Sequence, residues 1–237
     1  MSKTLHVIGT TLLLVAIAAG CTAEEAVVKL DDAKQRISYT IGLNIGKDFT
    51  SQEVEIDTAA LMAGVRDGLA GKTPRLSEEQ MQKEVQSFRE GMMAKQEAKI
   101  KVLADKNLKD GEEFLAKNAK EPGVTVTPSG LQYKVLKAGT GAIPKKEGIV
   151  SVHYRGTLLD GSEFDSSYER GEPLTLPVSG VIPGWTEALT LMQEGAKWQL
   201  YIPANLAYGE EGAPPVIGPN ATLLFEVELV SAAAKLD

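Results

Sequence analysis

The chain has 237 residues, of which 43% are hydrophobic and 24% charged, and its formal net charge is −7. These proportions suit a packed globular protein and exclude a wholly disordered chain, a collagen or a polytopic membrane protein, while the length asks for two folding units or one with an extended accessory segment. One cysteine, Cys21, and two histidines, His6 and His153, rule out a disulfide framework and a Cys/His zinc cluster; the acidic balance excludes a nucleic-acid partner, because neither half has the surplus of Lys and Arg that phosphate binding needs.

Residues 1–20 have the form of a secretory signal peptide. Lys3 precedes an apolar run from Val7 to Ala19, too short to span a bilayer comfortably, and the small residues Ala18-Ala19-Gly20 stand before Cys21. The pattern resembles a bacterial lipobox, with Ala18 where leucine is usual. That resemblance implies an exported lipoprotein held to a membrane through acylated Cys21, on the periplasmic side or the surface of the outer membrane. Ordinary secretion with a free Cys21 is the alternative.

Residues 21–76 are expected to form a helical domain. Ile37, Ile41, Leu43 and Ile45 recur at helical spacing after Asp31 or Asp32 as N-cap, and Leu61, Met62, Val65 and Leu69 form a stripe between Asp57 and Gly71. Two short helices bury little alone, so their apolar faces need the rest of the chain or a second copy of it. Ser77-Glu78-Glu79-Gln80 has the form of a capping box. With no proline before Pro122, a long connecting helix over 77–121 follows, some forty residues or about 60 Å. Large apolar side chains thin out between Met93 and Lys101, as on a solvated stalk, Glu97–Lys101 and Asp105–Lys109 are spaced for i,i+4 pairs, and Gly91 and Gly111 are its weak points.

Glu121-Pro122-Gly123 ends the helical half, and residues 122–237 change period. Leu131, Tyr133 and Val135 alternate with polar residues, as do Val150, Val152 and Tyr154, and again Leu223, Phe225, Val227 and Leu229, the signature of half-buried antiparallel strands. Asp160-Gly161 and Glu210-Glu211-Gly212 supply turns, and Pro183-Gly184-Trp185 opens one short helix through Met192. The fold class is therefore α+β, with the short helix crossing the apolar face of a twisted antiparallel sheet.

Motifs for covalent chemistry are missing: the sequence has no Walker loop, HExxH, GxSxG or paired cysteines. Gly139-Thr140-Gly141 is a turn rather than a dinucleotide fingerprint, and strand alternation turns His153 away from the side of Val152 and Tyr154. Asp160, Glu163 and Asp165 surround a glycine turn, where acidic residues are common. What remains is a supply of aromatic and apolar side chains beside turns, each of which could be ordinary core.

As an ordered set these residues resemble a family. Val152-His153-Tyr154-Arg155-Gly156, Gly161-Ser162-Glu163-Phe164-Asp165-Ser166-Ser167, Val181-Ile182-Pro183-Gly184-Trp185, Ala207-Tyr208-Gly209 and Ala221 to Leu229 are similar to the successive signatures of FKBP-type peptidyl-prolyl cis-trans isomerases. The helical half resembles the macrophage infectivity potentiator group of bacterial isomerases, in which paired helices build a homodimer. The resemblance implies catalysis of rotation about X-Pro bonds without cofactor or metal. Trp185 would floor the pocket, with Tyr154, Phe164, Val181, Ile182 and Phe225 as walls and Ile217 over the mouth. The Ile182 N–H and the Tyr208 hydroxyl would hold peptide carbonyls, while Asp165 would orient Tyr154 or meet the twisting amide. Leu174 replaces the aromatic wall many relatives place after Pro173.

Its implied partners are proline-containing unfolded or surface proteins and macrolides of the rapamycin type, with a chaperone-like role for the dimer. The competing reading is a lipoprotein that grips proline segments for adhesion without significant isomerase activity.

Overall fold

The structure is a computed structural model that describes residues 28–233; the signal segment and Cys21 lie outside the described residues. The chain divides into two compact units, Met1–Ser77 and Glu78–Asp237.

The first unit holds α1, Ala33–Ser51, and α2, Thr58–Leu69. Asp32 caps α1 through a full capping box with Gln35, and Asp57 caps α2 by accepting from the Ala60 N–H at 2.9 Å, so each helix starts where a side-chain oxygen satisfies a free amide. Neither helix buries a residue fully, and Ile37, Ile41 and Ile45 of α1 and Met62, Val65 and Leu69 of α2 all remain exposed. None of the helices among the described residues is long and apolar enough to cross a membrane.

In the second unit α3 runs unbroken over Glu78–Asn118, 41 residues, straight through Gly91 and Gly111. Its exposed stretch is held by Lys101–Asp105 and Lys106–Asp110 ion pairs, so the expected pairing of Glu97 with Lys101 gives way to one a turn later. Both pairs are exposed and contribute little each.

The sheet has seven antiparallel strands: β1 Val124–Val126, β2 Gln132–Lys137, β3 Ile149–Thr157, β4 Glu163–Ser166, β5 Leu174–Pro177, β6 Lys197–Ile202 and β7 Leu223–Ala233. Their order is β1-β2-β6-β7-β3-β4, with β5 also pairing with β3. One turn of helix, α4, Ser167–Arg170, follows β4, and α5, Pro183–Leu191, lies between β5 and β6. Proline at the start of α5 costs no hydrogen bond there. Trp185, Ala188 and Leu189 of α5 and Met192 just beyond it are buried against Val150, Val152, Leu200, Ile202 and Val227 of the strands. This is the expected α+β packing of one short helix on one sheet face.

The strict alternation expected of β2 is incomplete. Gln132 is buried because the C-terminal part of α3 covers this end of the opposite sheet face, and Val135 is exposed where the pairing with β6 becomes irregular. Gln132 donates to the Leu115 carbonyl at 2.9 Å and accepts from Asn118 at 2.8 Å, and Phe114 packs on Tyr201 with ring centres 5.9 Å apart. A buried amide is tolerated because both of its ends are satisfied.

Gly111 is a close contact of α3 with the residue before β7: a methyl group added there would stand 2.3 Å from Thr222 Oγ1, whereas one added at Gly91 meets nothing within 4 Å. Gly91→Ala is therefore expected to raise thermal stability by up to about 1 kcal/mol through helix propensity. Gly111→Ala should lower it by about 1–3 kcal/mol despite the same propensity gain. Thermal unfolding followed by circular dichroism checks both, and equal shifts of the same sign would contradict this packing.

Candidate active site

The second unit carries a cavity of about 630 Å³ between α5, the sheet edge and the loop before β7. Its lining includes Tyr154, Phe164, Asp165, Leu174, Val181, Ile182, Trp185, Tyr208, Ile217 and Phe225, so all ten residues singled out in this domain meet around one space. Leu176, Gly180, Ala213 and Val216 complete it.

Trp185 forms the floor. Position 185 is in the first turn of α5, and the ring is 4% exposed, wedged edge-on between Tyr154 at 5.2 Å and Phe225 at 5.1 Å. Phe164 in turn meets Phe225 edge-on at 5.4 Å. Perpendicular rings are favoured because the positive edge of one faces the negative face of the next, and such contacts contribute about 0.5–1.5 kcal/mol each beyond burial. The arrangement depends on Gly156 of β3, where an added methyl would lie 2.6 Å from the Phe164 ring and 2.8 Å from that of Phe225. The Trp185 Nε1–H is buried and has no hydrogen-bond partner among the described residues.

One polar cluster breaks this apolar wall. The Tyr154 hydroxyl donates to Asp165 Oδ2, Arg170 Nη1 reaches Asp165 Oδ1 at 2.6 Å, and Arg170 Nη2 donates to the Tyr154 oxygen at 2.7 Å. The guanidinium also stands 5.4 Å from the centre of the Tyr154 ring. Behind Tyr154, the Ser167 hydroxyl accepts from its backbone N–H at 2.8 Å, which ties β3 to α4. Asp165 thus bonds Tyr154 and also lines the cavity itself.

Arg170 was not among the residues singled out from the sequence. The single turn of α4 brings it back beside Asp165, and its signal was only a basic residue five positions after an acidic one. Burial pushes the Asp165 carboxyl up, but the hydrogen bonds from Tyr154 and Arg170 outweigh it and hold the group below the ordinary 3.8. Burial, aided by the hydrogen bond to Asp165, pushes the Tyr154 phenol above its usual 10.0. Asp165 is thus ionised and Tyr154 neutral at neutral pH, as a donor–acceptor pair requires.

The other carboxylates separate. Glu163 bonds Arg155, and Asp160 accepts from the Ser162 N–H at 2.9 Å within its turn, so the three acids make no catalytic pair. His153 is half-buried, with Nδ1 3.1 Å from the Ser167 hydroxyl and its ring stacked on Tyr168 at 4.9 Å, on the far side of β3 from the cavity. Gly139-Thr140-Gly141 is a turn: the Thr140 and Gly141 N–H groups donate to the Glu194 carbonyl, which leaves no cradle for a phosphate.

Comparison with known proteins identifies the family to which this sheet and cavity belong. The sequence profile of the domain amino terminal to FKBP-type peptidyl-prolyl isomerase matches residues 34–135, and that of the FKBP-type peptidyl-prolyl cis-trans isomerase matches residues 141–230. The chain belongs to the FKBP-type peptidyl-prolyl cis-trans isomerases. It is 42% identical to the outer membrane protein MIP of Legionella longbeachae, over 96% of this chain and 97% of that one. It is also 42% identical to the peptidyl-prolyl cis-trans isomerase Mip of Coxiella burnetii, over 94% and 96%. Among solved structures, the crystal structure of FkpA from Escherichia coli superposes with a TM-score of 0.72 at 40% identity, covering 87% of this chain and 99% of that one.

The pKa shifts fix the sign of the pH response. Because the folded Asp165 value lies below 3.8, its contribution is complete above that pH and is lost only as pH falls through the depressed value. Because the Tyr154 value is raised, its contribution is complete below pH 10.0 and is lost above it. Carboxyl NMR titration should place the Asp165 midpoint below 3.8, and Arg170→Met should move it upward. A wild-type midpoint at or above 3.8 would contradict the cluster.

Proposed function

We propose that the chain is an exported peptidyl-prolyl cis-trans isomerase that acts as a homodimer, with chaperone activity towards proline-containing unfolded or surface proteins. The observation that carries the reading is the ring-lined cavity with the buried Trp185 on its wall, in a chain of this family.

Rotation about an X-Pro bond breaks amide resonance against a barrier on the order of 20 kcal/mol, and it makes or breaks no σ bond. The planar amide is the more charge-separated form and is well solvated by water. A dry aromatic pocket therefore stabilises the twisted form relative to the planar one, and catalysis is preferential binding of the rotated amide. Trp185 carries the proline ring, and Tyr154, Phe164, Val181 and Phe225 exclude water around it. The Ile182 N–H and the Tyr208 hydroxyl hold carbonyls of the bound peptide on either side, and Ile217 and Leu174 close the rim. Asp165, fixed by Arg170, holds Tyr154 in place. A macrolide of the rapamycin type fits the same cavity and competes with peptide.

The helical domain, residues 21–76, serves dimerisation. The apolar side chains of α1 and α2 stay exposed in a single chain, and a second copy is the partner always at hand. The helix over 77–121 links it to the isomerase domain at 122–237. Acylation of Cys21 after loss of residues 1–20 anchors the dimer to the outer membrane, on its periplasmic side or its surface.

A protease-coupled assay on a short proline peptide should show acceleration by the chain and inhibition by rapamycin. Trp185→Leu and Asp165→Ala should each lower kcat/KM by about ten- to a hundredfold, the loss of one well-placed contact in the rotated state. No acceleration by the wild type would leave only peptide gripping, and wild-type rates in both variants would remove the site assignment. Sedimentation should give twice the monomer mass, and Ile37→Glu with Ile41→Glu should halve it; a monomeric wild type would contradict the dimer.

A further inference from the structure

Three residues of α3 at four-residue spacing, Leu103, Asn107 and Gly111, lie on one helix face and run along the loop that leads into β7. Asn107 Nδ2 donates to the Pro219 carbonyl at 2.8 Å, across 112 positions of sequence. An added methyl at Gly218 would lie 3.0 Å from Asn107 Nδ2 and 3.3 Å from Leu103 Cδ2, and Gly111 meets Thr222 in the same way. The helix thus touches the loop at 218, 219 and 222 in register with its own turns.

The same loop forms one wall of the active-site cavity. Ala213 and Ile217 exchange two backbone hydrogen bonds, at 2.8 and 3.0 Å, which close the loop tip, and the Asn220 N–H donates to the Gly209 carbonyl at 2.8 Å at its base. Val216, at the tip, faces the active-site cavity on one side and on the other a groove of about 500 Å³ bounded by α3. Internal bonds fix the shape of this loop. Its distance from the pocket is set by what it leans on, and it leans on α3.

We infer that Asn107 is a positioning residue for the active site: through Pro219 it sets where Val216 and Ile217 stand, and so how the pocket fits the residue beside the substrate proline. This inference rests on the cavity being the isomerase site. The long helix is then part of the catalytic unit rather than only a spacer.

The test is made in the full-length chain. Asn107→Asp keeps the shape and removes the donor; Gly218→Ala pushes the loop off the helix from the other side; Lys101→Ala breaks an ion pair on α3 away from the loop and serves as control. KM and kcat are measured on short peptides that differ only in the residue before proline, and methyl NMR follows Val216 and Ile217, with Leu189 as a core reference. Asn107→Asp and Gly218→Ala should each raise KM by about three- to tenfold, the weight of one hydrogen bond, with kcat little changed. Both should alter the ranking of peptides and shift the Val216 and Ile217 methyls, while Lys101→Ala does none of this.

If Asn107→Asp lowers the melting temperature but leaves KM, peptide ranking and both methyl signals as in the wild type, the inference is overturned. An inactive wild type would instead sink the isomerase reading, and the methyl shifts would still report whether the helix sets the loop.

Discussion

Trp185 is the residue on which the rest of the site turns. It occupies the first turn of a short helix whose Ala188 and Leu189 are buried against the sheet, so its ring is pressed against the strands while one side of it faces an open cavity. One side chain thus serves both the core and the cavity lining. The edge-on contacts with Tyr154 and Phe225 hold the indole in place, and Gly156 makes room for the Phe225 and Phe164 rings by having no side chain of its own. The inner wall of the cavity keeps its shape because Tyr154, Trp185 and Phe225 are packed into the core, while Leu174, Tyr208 and Val216 at its rim are exposed.

The polar part of the site is small, and its chemistry is static. Asp165, Arg170 and Tyr154 satisfy one another, so a charge can sit at the rim of an apolar pocket without an unpaired donor or acceptor beside it. Such a cluster has no spare proton to give near neutral pH, since the carboxyl is held low and the phenol high. That suits a reaction in which nothing is protonated and only an amide turns. The electrostatic role of the cluster is to keep the pocket wall rigid where a tyrosine alone would leave a buried hydroxyl unsatisfied.

The pocket residues were legible through the resemblance of short runs to the FKBP signatures, while spacing alone gave the elements that carry some of them. Alternation placed Tyr154 and Phe225 on the core side of β3 and β7, and Pro183 announced the helix that carries Trp185. Arg170 escaped because its position follows from a single helical turn too short to leave a period. Gln132 misled because its partners, Leu115 and Asn118, belong to a helix end whose docking no local pattern encodes. The bond from Asn107 to Pro219 spans 112 residues, and the only hint was a glycine, Gly111, in an otherwise regular helix. That glycine looked like a weak point, whereas in the fold it is a point of contact.

The central claim is that an apolar, ring-lined pocket eases rotation of a prolyl amide with no proton in flight. The solvent isotope effect on kcat/KM tests it most directly. The account predicts equal values in H₂O and D₂O at matched pH and pD, because no bond to hydrogen is made or broken as the amide turns. A clear decrease in D₂O, abolished by Asp165→Ala or Tyr208→Phe, would assign a proton transfer to the rate-limiting step and contradict it.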